Sequence, residues 1–249
     1  MLRSVFILLP SLLIWSQQLP QATKSEAKSE AKAEDVEGLP FAEIVAPMLL
    51  KGVDAQAVRK AAALFLEDSR PLQAKILYKA ALELQPDSAE SRAGMEQTEE
   101  RLAHLEKRFQ EFKTNYETGG DILDGCSMAV IRFHQGYPER ALGILEVLKK
   151  QNPGRQDPVA LAQTFRGGWE SERASLARLE KEMHVAAMEG QWEKACQLFG
   201  RMIYIGIGNP VTFAAFERVQ AISEGKIRPE AVAVLAKLQQ FHLEKGNSQ

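Results

Sequence analysis

Residues 55–88 read AQAVRKAAALFLEDSRPLQAKILYKAALELQPDS. Two short amphipathic runs flank a break at Asp68-Ser69-Arg70-Pro71. Ala61, Ala62 and Phe65 give the first run a face of two small residues and one large one. After the break, Ala74, Tyr78 and Ala81 follow at spacings of four and three, which places them on one helix face. The two alanines are small where helix backbones approach closely, and the tyrosine fills the space between them. Pro86 stops the second helix. A hairpin this short has too little interior to bury its apolar face alone, so it needs stacked neighbours. Alternatively, it is an αα-hairpin within an ordinary helical bundle.

Working outward, the pattern recurs. Met128, Ala129 and Phe133 precede a turn at Gln135-Gly136-Tyr137-Pro138, then Ala141, Leu145 and Leu148 follow, with Pro153 closing the unit. A third unit, about 176–209, turns at Gly190-Gln191-Trp192 and continues with Ala195, Phe199 and Met202. A degenerate fourth, about 211–242, turns at Gly225 and carries Ala231, Leu235 and Leu238. Between the first two units, residues 88–116 form a long helical pattern with a stripe of Leu102, Leu105, Phe109, Phe112 and Tyr116. Gly94 is its weak point, and Gly119-Gly120 ends it. The stripe either packs on its own neighbours or offers a docking edge to a second copy, making a homodimer. Asp157-Pro158 opens another helix, which Gly167-Gly168 is expected to break.

These four units, at about 55–88, 122–155, 176–209 and 211–242, resemble tetratricopeptide repeats. The first two carry the resemblance best. It implies an all-α fold, a right-handed α-solenoid of helix-turn-helix units. It also implies that the first helix of each hairpin lines a concave groove. The corresponding positions are Gln56, Arg59 and Ala63, then Leu123, Cys126 and Val130, then Ala177, Glu180 and His184. Some members of that family hold acidic C-terminal tails through lysine and asparagine on these helices. The matching slots here hold Arg59 and Ala63, then Cys126 and Val130, so that pattern is absent. A groove apolar in its middle and polar at its ends suits an amphipathic helix or an extended peptide. The alternative is that the 88–116 helix folds into the groove and fills it.

Ahead of the repeats, residues 1–22 begin with Arg3 and an apolar run from Val5 to Trp15. The run is too short to span a bilayer comfortably and has the length of a secretory h-region. The expectation is a cleaved signal peptide and a periplasmic or secreted protein. An uncleaved helix anchored in the inner membrane is the alternative. Residues 23–38 repeat Ser-Glu-Ala-Lys and have little to bury, so a disordered linker is expected. Residues 39–52 carry Phe41, Ile44, Val45, Met48 and Leu49 at helical spacing. They read as a helix capping the first hairpin, bent or split by Pro47.

Composition excludes more than it assigns. Apolar residues at 45% and charged residues at 26% fit a globular helical domain, here residues 39–249. A net charge of −2 without a Lys/Arg cluster argues against nucleic acid. Cys126 and Cys196 lack metal-ligand spacing and are either packed thiols or a disulfide. No Walker A loop, GxSxG, dinucleotide-binding glycine pattern or HExxH occurs, so neither a cofactor nor a metal is expected. The function these features suggest is a non-enzymatic scaffold or adaptor of the bacterial cell envelope with a protein or peptide partner. The alternatives are an accessory cell-wall enzyme acting on carbohydrate or peptidoglycan, and a structural dimer formed through residues 88–116.

Overall fold

The computed structural model describes residues 38–246 apart from 136 and 207–209. The expected signal peptide, and the linker up to residue 37, lie outside the described residues. The described residues form ten helices and contain no strand. They are α1 (Leu39–Lys51), α2 (Ala55–Glu67), α3 (Pro71–Leu84), α4 (Ala89–Gly119), α5 (Ile122–His134), α6 (Pro138–Gln151), α7 (Asp157–Met188), α8 (Trp192–Ile205), α9 (Pro210–Ala221) and α10 (Pro229–Gly246).

Local chemistry sets many of these boundaries. Asp54 caps α2 by accepting from the Ala57 amide at 2.9 Å. Ser88 caps α4 through the Ser91 amide, and Asp121 caps α5 through the Leu123 amide. Pro71 and Pro138 each stand at the first position of a helix, where a missing N–H costs nothing. Gly120 ends α4 with a left-handed φ of 68°.

In the first hairpin, Ala61, Ala62 and Phe65 of α2 are buried together with Ala74, Leu77, Tyr78 and Ala81 of α3. The next helix packs directly on this pair. A Cβ added at Gly94 of α4 would lie 2.3 Å from the Tyr78 ring. Gly94 is therefore the place where α4 admits Tyr78, and the helix runs through it. Within the α5/α6 hairpin, a Cβ at Gly125 would lie 2.5 Å from the Leu148 side chain.

The helix does not split at Pro47 and does not break at Gly167-Gly168. α1 passes through Pro47. Pro47 and Glu43 are both exposed, so the hydrogen bond that proline removes is lost on the solvent face of α1. α7 passes through Gly167-Gly168. Its first part contributes Ala162 and Phe165 to one core, and its last part contributes Leu176 to Ala187 to another. Anchorage at both ends outweighs a propensity penalty of about 1 kcal/mol per glycine.

The expected cap, α1, touches the first hairpin through Phe41, whose ring lies 4.9 Å from that of Phe65. It packs more extensively on α8. A Cβ at Gly200 would come within 2.8 Å of the Ala42 Cα, so the two backbones nearly touch there. α10 in turn touches α1 and α3, with Lys237 paired to Glu83. One core thus joins α1–α3, the end of α7, and α8–α10. A smaller second core holds α5, α6 and the start of α7.

Candidate functional site

The three sets of groove positions lie in different surroundings. On α2, Gln56 is exposed, whereas Arg59 is half-buried and bound to Glu90 of α4 at 3.0 Å. Glu90 sits in the first turn of α4. Its own backbone amide, and then Arg59, hold its carboxyl below the usual range. The start of α4 therefore occupies the cation of the first set.

On α5, Leu123 is 55% exposed, but Cys126 is buried in the smaller core and Val130 packs against it. Burial, reinforced by Asp157, pushes the Cys126 thiol up to about 11. Cys196 lies in the larger core, where burial and then Glu193 push it up to about 12. Both cysteines are free and buried, and burial disfavours the thiolate form that would act as a nucleophile.

On α7, Ala177, Glu180 and His184 open onto a cleft of about 460 Å³ shared with α9. Met183 and Ala215 form its buried floor. Lys181 and Arg218 complete the rim, and Arg218 is paired with Glu180. α2 touches neither α5 nor α7, so the three sets do not meet in one pocket. The third set is the one gathered around a concavity.

A second cleft, about 450 Å³, lies where α3 and α6 begin, α5 ends and α4 passes. Its organising residue is Arg132. The guanidinium lies 3.5 Å from the centroid of the Phe109 ring and binds Glu106 at 2.7 Å and Gln135 at 2.6 Å. The hydrogen bond from Arg132 is the main reason the Glu106 carboxyl sits below its ordinary value. Sequence reasoning missed this cluster, because a charge on a helix looks the same whether it faces water or a neighbour. Phe109 was the available clue, since it is the buried member of the α4 stripe. Leu102, Leu105, Phe112 and Tyr116 are half-buried, so neighbouring helices cover part of the stripe.

Among the described residues, no group of His, Cys, Asp and Glu is placed to hold a metal ion. None of the described helices is long and apolar enough to cross a membrane. No family model, curated protein or solved structure matches the chain.

Proposed function

We propose that the chain is an exported, tetratricopeptide-like α-solenoid that serves as a non-enzymatic scaffold in the bacterial cell envelope. It captures a protein or peptide partner in a groove. The carrying observation is that Ala177, Glu180 and His184, chosen as inner-face positions by repeat register, line an open cleft. The cleft has an apolar floor and a charged rim, the composition expected of a peptide site. Export rests on Arg3 and the Val5–Trp15 run. The close packing of α2 on α3 and of α5 on α6, each with the next helix in sequence against it, supports the repeat reading.

A photo-crosslinking residue placed at His184 in living cells tests capture. One discrete adduct is expected there, and none from the same residue at exposed Glu96. Equal labelling from both positions, or none at His184, refutes capture at this face. N-terminal sequencing of the native protein tests export, which fails if the sequence begins at Met1 in the soluble cytosol.

A further inference from the structure

We propose that Gly167-Gly168 is a hinge in α7 that lets the α5/α6 hairpin rock on α4, widening and narrowing the cleft around Arg132. The hinge and the capture reading stand apart, and neither requires the other.

Connectivity is the first argument. Among the described residues, the backbones of α5 and α6 approach each other, α4 and α7, and no further helix. The hairpin is thus joined to the larger core at two places. One is α4, whose first part belongs to the larger body. There Gly94 lies against Tyr78, Glu99 pairs with Lys75 at 2.7 Å, and Arg101 donates to the Leu66 carbonyl at 2.7 Å. Its later part belongs to the hairpin, through Glu106, Phe109 and Tyr116. No glycine or proline lies between Arg101 and Glu106, so this crossing is stiff helix.

The other crossing is α7, and it is weak. On the hairpin side, Phe165 is buried and Arg166 is tied to Glu146 of α6 at 2.7 Å. The next described residue that is buried is Leu176, in the larger core. Between Phe165 and Leu176 the helix advances roughly 16 Å. Gly167 and Gly168 lie in that interval and are exposed. Beyond their own stretch of helix, nothing lies within 4 Å of a Cβ added at either. Gly94, Gly125 and Gly200 each admit a close neighbour, but this pair admits none. It costs about 1 kcal/mol of helix propensity per glycine without a gain in packing. What the pair contributes is backbone freedom. Gly143 of α6 also meets nothing, but Ala141 and Leu145 on either side of it are buried in the smaller core and hold that helix.

The third argument is room. Leu72 and Lys75 of α3 line the Arg132 cleft together with Tyr137 and Arg140 of α6. The α3 and α6 backbones do not approach each other, so this space is free to change as the hairpin rocks. Small rotations of one packed body on another leave side-chain rotamers in place and need only a few residues to bend.

Pulsed electron spin resonance on the native protein tests the hinge. Nitroxides at Lys79→Cys on α3 and Glu139→Cys on α6, two exposed positions, read the distance across the cleft. Cys126 and Cys196 are buried, so the added thiols take the label. Lys79→Cys with Glu182→Cys, both on helices of the larger core, is the rigid reference. The cross-cleft distance distribution is expected to be about twice as wide as the reference. Gly167→Ala with Gly168→Ala favours the straight helix and should narrow it to the reference width. The reference distance, unchanged in that variant, reports that it folds. A cross-cleft distribution no wider than the reference overturns the proposal. One that stays wide in the double-alanine variant also overturns it, because the motion then lies elsewhere.

Discussion

The two cores are built in different ways. The larger one gathers helices from both ends of the described chain around interlocking rings. Phe41, Phe65 and Tyr204 lie within 5.5 Å of one another, centroid to centroid, and Phe199 stacks on Phe216 at 3.6 Å. The smaller one is a single hairpin resting on α7, with Ala129, Ala141, Leu145 and Leu148 at its centre. Its stacked pair, Phe133 on Phe165, leaves Phe133 partly in water. Polar contacts complete it: Arg132 to Glu106 across α4 and α5, and the Tyr116 hydroxyl donating to Gln151. The same hairpin pattern in sequence thus serves two bodies of unequal burial. The smaller body is expected to open first.

The strongest test of this contrast is at the α1/α8 crossing. Gly200→Val forces a branched side chain onto the Ala42 backbone, and should cost at least about 3 kcal/mol of global stability by denaturant titration. A near-silent result would mean that α1 is not clamped there. Leu145→Ala, by contrast, removes the centre of the smaller core at a cost of about 2–3 kcal/mol. Hydrogen exchange should then accelerate in α5 and α6 while α1–α3 keep their protection. Uniform acceleration would show that the two bodies unfold as one.

Next in size is Arg132→Met, which keeps some packing on Phe109 but loses the ion pair, for about 1 kcal/mol or less. Its signature is in pH. The Glu106 carboxyl is held below its ordinary value of 4.5, chiefly by Arg132. Its contribution is complete above that ordinary value and is lost as pH falls through the lowered one. Protection of α5 in the native protein should therefore fall with acidification below about pH 4.5, and the variant should show a shallower fall. Identical pH profiles would remove Arg132 from the docking of α5. Smallest is Gly167→Ala. Beyond its own stretch of helix, nothing lies within 4 Å of its added Cβ, so helix propensity alone should raise stability by about 0.5–1 kcal/mol. A loss in thermal denaturation would mean that α7 needs to bend there.

What the sequence made legible is what neighbouring residues write locally. The turn before Pro71, the buried trio Ala74, Tyr78 and Ala81, and the stop at Gly120 all depend on residues a few positions apart. The α1/α8 crossing depends on Ala42 meeting Gly200, and such a pairing leaves no period to read. A glycine inside the apolar run Leu198-Phe199-Gly200 was its one visible sign. Gly167-Gly168, and the split allowed for at Pro47, misled for a related reason. Their local cost is real, but it is set against tertiary packing that local reasoning does not see. Of the candidate site, register along the repeats placed Glu180 and His184 beside the α7/α9 cleft. It also selected Cys126, which points into a core, because register alone does not say which neighbour covers a face.

The seating of α1 also has a consequence for the order in which the chain is made. Phe41, Val45 and Leu49 leave the ribosome early, and their principal partner α8 follows only after most of the chain. At roughly 5–20 residues per second the wait is on the order of ten seconds. During that interval the first hairpin offers α1 only part of the cover it finally receives, and the rest of its apolar face stays bare. A nascent chain stalled anywhere before Gly200 should therefore carry a sticky amino-terminal helix that a holding chaperone recognises. Completion of α8 is the event that hides it.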